Sequence, residues 1–384
     1  MAATGKRISS PLAEELGLEV PIFAFSKAPE VVAAVSRAGG MGVLGAVAYT
    51  VDQLREGLDF IEAHVDGKPY GVDVVMPAKY EGAGQTGGAA QLGSMLEQMI
   101  PARHKAFIEE LLTRHEVPPL PEGTDAWHHL LAWTEETTRP QVDLVLELAK
   151  TRPIKLLANA LGPPPRDIVD RAHAAGLKVA ALTGRVEHAR KHVANGVDVI
   201  VAQGTEAGGH CGEISTMVLV PEIVDAVGKT PVLAAGGIGC GRQVAAAMAL
   251  GAQGAWTGSI WLTAEESDVI PLLKDKLVRA GSRDTVRSRA LTGKPARQLR
   301  TAWSDAWDDP KGPGPLAMPM QFMATADATS RIFRYAGQPG TRAEELLTSP
   351  VGQIVGRMDA VRPVATIMDD LVRELHETIA RLNP

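Results

Sequence analysis

The feature that most constrains the fold is a regular alternation of short apolar runs with helical patterns. Eight runs typical of buried strands lie at 20–25, 41–46, 70–76, 154–160, 178–183, 197–202, 231–235 and 254–259. None shows the strict polar and apolar alternation of a half-exposed antiparallel sheet, so we expect parallel strands buried on both faces. Eight such units, each followed by a helical pattern, favour a (β/α)8 TIM barrel in the α/β class. An open doubly wound sheet is less favoured, because no Gly-x-Gly-x-x-Gly opens a helix after the first strand.

Two stretches interrupt the alternation. Residues 77–140, after the third strand, are too long for an ordinary strand-to-helix connection, so they are predicted to be an insertion or lid. Within them 82–93 is rich in Gly and Gln, a helix is expected over 95–115, and a further short helix is expected over 125–137. The next barrel helix is expected over 141–150. The chain after residue 264 is mostly helical in pattern, with a Pro- and Gly-rich loop at 308–319. We therefore predict a barrel over residues 1–264, with the insertion, and a helical extension over 265–384 that packs on it.

Composition excludes several classes of function. The net charge of −6 argues against a nucleic-acid or anionic-membrane partner. Cys211 and Cys240 are the only cysteines, so neither a disulfide framework nor a cysteine-based zinc site is expected, and no metal is predicted. The first 18 residues lack the apolar core of a signal peptide, and no apolar run approaches membrane-spanning length. These features predict a cytoplasmic protein.

The sixth apolar run leads into a glycine-rich loop that we expect to be part of a site. The loop reads Gln203-Gly204-Thr205-Glu206-Ala207-Gly208-Gly209-His210-Cys211-Gly212. Glycines let the backbone approach a ligand closely, and in TIM barrels the strand C-termini carry the active site. Strands seven and eight also end in glycine turns, at Gly236-Gly237 and Thr257-Gly258-Ser259, whose amides can form a phosphate site. Together these features suggest a bound mononucleotide.

These motifs resemble the nitronate monooxygenase family, formerly called 2-nitropropane dioxygenases. The likeness rests on the 203–210 loop, on Ala235-Gly236-Gly237-Ile238 and on Thr257-Gly258-Ser259, in the order and spacing of barrel units. It extends to 21–25, to 38–42 and to Gly352-Gln353, and so covers most of the chain outside 77–140. The resemblance implies an FMN-binding TIM barrel, in agreement with the fold inferred from the pattern.

The resemblance also implies which residues contact FMN. The implied contacts are Gln203 and Gly208 for the flavin, Gly237 for the first phosphate turn, and Trp256, Thr257, Gly258 and Ser259 for the second. Asp73 stands at the end of strand three, where the family usually has Asn. A carboxylate cannot donate a hydrogen bond to the isoalloxazine unless it is protonated, so the flavin contact of Asp73 depends on its charge.

His210 matches the histidine that the family places near the flavin, as a catalytic base or as a hydrogen-bonding group for the substrate. The implied reaction is oxidation of an alkyl nitronate with O2 to a carbonyl compound and nitrite. An imidazole of ordinary pKa, near 6.5, is suited to remove a proton from a nitroalkane carbon. The sequence leaves both roles open, and it leaves a homodimer open as well.

Two other functions compete with this one. An NAD(P)H-dependent flavin reductase, acting on quinones or enoyl thioesters, would fit a similar barrel, and the insertion and Asp73 could adapt the pocket to such substrates. A flavin-free binding barrel is a third alternative. The number of glycines predicted at one rim argues against it, because a scaffold does not require them.

Overall fold

In the computed structural model, which describes residues 8–76, 97–124 and 134–382, the eight predicted runs form a closed parallel barrel. The first strand pairs with the second on one side and with the last on the other, which closes the cylinder. The barrel strands are β1 (Ile22–Ser26), β2 (Met41–Gly45), β3 (Tyr70–Asp73), β4 (Ile154–Asn159), β5 (Lys178–Thr183), β6 (Val199–Gln203), β8 (Val232–Ala235) and β9 (Ala255–Thr257). The predicted TIM barrel is confirmed.

Alternate side chains of each strand point to opposite faces, and both faces are apolar. Inside the barrel, Phe23, Met41, Leu156 and Trp256 belong to one buried cluster. The short helix α1 (Pro11–Glu15) adds Leu12 and Leu16 to that cluster. It covers the end of the barrel where the strands begin, because Ser10 Oγ donates to the carbonyl of Gln253, just before β9. α1 does not cover the opposite end, where the strands finish, so a site can form there.

Helices cover the outer face of the barrel. They are α2 (Pro29–Arg37), α3 (Val51–His64), α5 (Glu135–Leu148), α6 (Arg166–Ala174), α7 (Val186–Ala194), α8 (Thr216–Val227), α9 (Gly241–Ala249) and α14 (Val364–Leu382). The last of them, α14, packs against α9 and α2 and so takes the place of the helix that should follow β9. The contact with α9 is close: a Cβ at Gly241 would lie 2.2 Å from the backbone nitrogen of Leu375. The predicted boundary at residue 264 stays a prediction, but the extension supplies a helix of the barrel itself.

Two excursions from the barrel meet each other. The first follows β3 and contains α4 (Ala102–Arg114). The second follows β9 and contains α10 (Pro271–Arg279), α11 (Ala302–Asp308), α12 (Met320–Tyr335) and α13 (Ala343–Leu346). Arg331 of α12 is nearly buried and donates to the carboxylate of Glu109 and to the carbonyls of Val117 and Pro118. A desolvated guanidinium with three acceptors joins the two excursions firmly.

The predicted bounds of the first excursion need correction. Of the helix expected over 95–115, residues 97–98 are helical, a break follows before Pro101, and α4 then runs from Ala102; residues 95–96 lie outside the described residues. The barrel helix expected from Gln141 begins at Glu135. α5 continues through Pro140, which lies inside the helix as its sixth residue. Proline inside a helix is unfavourable, which is why the sequence predicts the helix only after Pro140. The predicted glycine-rich segment 82–93 lies outside the described residues, as does most of the short helix expected over 125–137.

The second excursion is not purely helical. It contains the antiparallel strands β10 (Thr285–Ser288) and β11 (Ala296–Leu299), and β11 also pairs with β7 (Gly209–His210). We call this three-stranded sheet the cap sheet. Prediction of a mostly helical extension missed it, because each strand is short and the partner of β11 lies in the loop after β6. Among the residues that the structure describes, no helix is long and apolar enough to cross a membrane.

Candidate active site

Asp73 lies at the end of β3 and points into the barrel. Val72 and Val74 on either side belong to the outer apolar cluster, so Asp73 faces the interior. The side chain is buried, and its Oδ1 has no hydrogen-bond partner among the described residues. Burial raises the pKa of Asp73 to about 7, against an opposing effect of the hydrogen bond from the Ala160 amide. A substantial neutral fraction is therefore present near pH 7, and the neutral acid can donate a hydrogen bond.

Gln203 ends β6 on the interior face, two residues after the interior Val201. The loop that follows is fixed from two sides. Glu206 accepts from the amide and hydroxyl of Thr216 at the start of α8, and its carbonyl accepts from the Gln353 amide. A Cβ at Gly208 would lie 2.8 Å from the backbone of Val351 and Gly352, so only glycine fits there. The loop is thus pre-formed, which suits a binding site.

The two glycine turns need glycine for different reasons: the first for its backbone conformation, the second for the space that it leaves to a ligand. Gly236 and Gly237 have φ angles of +99° and +72°, which favour glycine. A Cβ at Gly258 would meet nothing within 4 Å, so a ligand can approach that turn. Ser259 Oγ accepts from the Gly352 amide at 2.8 Å, and its own hydrogen remains available.

The side chains of Trp256 and Thr257 have partners inside the barrel. The Trp256 ring stacks inside the barrel on Phe23, with ring centroids 6.3 Å apart. The Thr257 hydroxyl donates to the carbonyl of Phe23 and accepts from Trp261 Nε1. Both side chains therefore stabilise the barrel, and a ligand at this turn would meet Gly258 and Ser259.

His210 lies in β7, at the edge of the cap sheet, opposite Ala296. Its ring is accessible at the rim of the site, and its Nε2 lies 2.7 Å from Thr292 Oγ1. Partial loss of water around the ring and the nearby charge of Lys294 lower the pKa of His210 to about 4. Both causes act in the same direction, so the imidazole is neutral at pH 7.

The strand ends bring most of the predicted site residues to one end of the barrel. Asp73 and Gln203 face inward there, and Gly208, Gly237, Gly258 and Ser259 follow strands that end at the same rim. A separate cavity of about 370 Å³ adjoins Glu206, Gly237 and Met217. Of the residues predicted to contact FMN only Gly237 lines this cavity, together with its neighbour Gly236 and Glu206 of the 203–212 loop.

The residues present fit a flavin mononucleotide in two respects. The buried, partnerless Oδ1 of Asp73 needs a hydrogen-bond partner, and an orphaned buried polar atom is costly without one. The open space at Gly258 has room for a phosphate next to backbone amides.

Sequence reasoning missed Thr292 and Lys294, which the β10–β11 turn brings beside His210. The turn residues Gly293 and Pro295 between two short β-prone runs were a usable signal for that hairpin.

Known proteins resemble this chain along nearly its whole length. The sequence profile of the nitronate monooxygenase family matches residues 18–374. A Mycobacterium tuberculosis protein named "Putative monooxygenase Rv1533" is 53% identical over 97% of this chain and 97% of its own. A Staphylococcus aureus protein named "Probable nitronate monooxygenase" is 30% identical over 95% of this chain and 97% of its own.

Two solved structures have the same fold. Nitroalkane oxidase from Streptomyces ansochromogenes superposes with a TM-score of 0.75 at 26% identity, covering 96% of this chain and 99% of that one. FabK from Thermotoga maritima superposes with a TM-score of 0.68 at 26% identity, covering 98% and 99%. The chain therefore belongs to the nitronate monooxygenase family and is an oxidoreductase of a flavin-dependent class.

Proposed function

We propose that the protein binds FMN and oxidises alkyl nitronates with O2 to a carbonyl compound and nitrite. The observation that carries the flavin assignment is the pairing of a partnerless buried Asp73 with an open Gly258 turn at the same end of the barrel. Family membership supports the reaction class. When bound, the flavin supplies the electron transfer to O2 that no side chain can supply.

In this proposal one set of residues holds the phosphate of the FMN and another set holds its ring system. Amides at Gly237 and Gly258 and the Ser259 hydroxyl hold the phosphate. Asp73, Gln203 and the backbone at Gly208 hold the ring system. His210 and Lys294 then lie on the cap side, where a substrate would meet the flavin, and Lys294 favours an anion such as a nitronate.

The direct test is anaerobic mixing of the flavin-loaded protein with candidate reductants, followed by flavin absorbance. We expect propyl nitronate to bleach the flavin rapidly, and NADH or NADPH to do so slowly or not at all. Rapid bleaching by a pyridine nucleotide alone would instead support the NAD(P)H-dependent reductase. Purified protein that binds no FMN would remove the flavin assignment altogether.

The charge of Asp73 predicts a pH dependence of FMN binding. Because burial raises its pKa to about 7, the neutral donor dominates below that pH and the carboxylate above it. We expect the Kd for FMN to rise roughly tenfold between pH 6 and pH 8, as the neutral fraction falls by about that factor. Fluorescence titration at both pH values measures this change. The Asp73→Asn variant keeps the donor at every pH, so its Kd should change much less; an equal change in both proteins would rule out Asp73 as the titrating group.

A further inference from the structure

The cavity of about 370 Å³ beside the first glycine turn has no part in the site described above. Its walls come from the start of α8, from one side of α9 and from the turn at Gln353–Arg357, and they include Gly236 and Gly237. The volume is within the range of sites that bind small organic molecules. The cavity is therefore large enough to hold a ligand or a part of one.

The walls of this cavity combine apolar side chains with a positive charge. Met217 is 65% exposed, and together with Leu250 and Ile354 it gives the cavity an apolar surface. A thioether contacts an aromatic ring favourably, so this surface suits a planar base. Arg357 is also exposed, and its guanidinium has no ion pair or hydrogen bond among the residues that the structure describes. A guanidinium in that state is available to bind a phosphate.

Glu206 adds a carboxylate to the same wall. Its Oε2 accepts from the amide and from the hydroxyl of Thr216, each at 2.9 Å, and its Oε1 retains acceptor capacity. A carboxylate repels a bare inorganic anion, but it is the usual acceptor for ribose hydroxyls in dinucleotide sites. The wall thus offers contacts to a base, a ribose and a phosphate, so the class of ligand that it suits is a nucleotide.

The position of the cavity relative to the flavin indicates which nucleotide fits. Gly237 lines the cavity and, in the proposed function, also holds the flavin phosphate. FMN ends at that phosphate, whereas in FAD a second phosphate and an adenosine continue from it. Because the phosphate turn and the cavity share Gly237, a ligand that extends from one into the other is favoured over a nucleotide bound by itself.

We propose that the cavity beside Gly237 holds the adenylate half of FAD, so that the flavin site accepts FAD as well as FMN. This inference rests on the proposed function for the position of the flavin phosphate at Gly237 and Gly258. In this arrangement Arg357 pairs with the added phosphate, Glu206 accepts from the ribose, and Met217 contacts the adenine. The proposed reaction is unchanged, because the isoalloxazine is the same in both cofactors.

The first test compares FMN and FAD by fluorescence titration of the apoprotein. Ala246 is an exposed residue of α9 that lines the cavity, so Ala246→Trp fills the cavity without entering the core. We expect both flavins to bind the wild type. In Ala246→Trp the Kd for FAD should rise at least about tenfold, while the Kd for FMN stays within about twofold, because only the adenylate contacts are lost. Ala249→Trp, on the same helix but outside the cavity, is the matched control.

The second test removes the positive charge. Arg357→Gln should raise the Kd for FAD about tenfold and leave the Kd for FMN unchanged, because it removes a charge-assisted hydrogen bond to the added phosphate. Arg283→Gln alters an exposed arginine next to the cavity residue Ser282 and should change neither value. FMN binding without FAD binding, or FAD binding that Ala246→Trp leaves unchanged, would overturn this inference and leave the proposed function intact. Binding of neither flavin would overturn both.

Discussion

Gly258→Val is expected to leave the apoprotein folded and to weaken FMN binding roughly 100-fold. A Cβ at this position meets no protein atom within 4 Å, and the φ angle of −135° is negative, so the protein itself gives the side chain room. The added methyl groups would occupy the space assigned to the phosphate. Losing two hydrogen bonds to a charged group costs on the order of 3 kcal/mol or more, which corresponds to about that factor.

The measurement is flavin content after purification, together with Kd by fluorescence titration and the thermal unfolding of the apoprotein. Gly281→Val is the matched control, because Gly281 also has a negative φ and its nearest contact is an ordinary 3.5 Å from Asp284. Gly258→Ala adds one carbon and should give a smaller loss in the same direction. Full FMN occupancy in Gly258→Val would show that the phosphate binds elsewhere.

The second large effect is expected at His210. His210→Ala should keep its flavin but lose roughly 100-fold in kcat/KM for a nitronate, the scale seen when a preorganised donor to a developing or bound oxyanion is removed. The neutral ring near Lys294 is suited to donate, and a pKa of about 4 makes it a weak base at neutral pH.

His210→Asn provides the comparison for this result. An asparagine amide keeps an N–H donor at this position, so if His210 acts as a donor this variant should retain more activity than His210→Ala. Stopped-flow flavin reduction by propyl nitronate measures both. Equal losses in the two variants would argue against a donor role, and wild-type rates in both would remove His210 from the reaction.

The barrel could be predicted because its signals are local. Each buried strand is a short apolar run that ends in glycine or a polar residue, so β6 and its Gln203-to-Gly212 loop are visible in the sequence alone. The cap sheet is a different case. Its pairing joins Gly209–His210 to Ala296 and Arg297, far apart in sequence, and two-residue strands carry no periodicity.

The protonation states of the site residues were less predictable than their positions. The sequence places Asp73 and His210 at strand ends, but their pKa values depend on burial and on Lys294, which only the fold brings close. Thr292 was overlooked for the same reason. The helix α14, which packs against α2 and α9, was predicted only as part of the C-terminal extension, because the chain makes a long excursion between β9 and α14.

That excursion has a consequence for folding. The contacts of α14 with α2 join elements from opposite ends of the barrel sequence, so closing the ring of helices requires contacts of large sequence separation, which slow folding. Loop-closure entropy grows only logarithmically, so a long excursion adds little further cost once the barrel has formed. The helix that closes the ring also anchors one end of the segment that carries Thr292 and Lys294. Local opening of α14 would therefore uncover the faces of α2 and α9 on which it packs.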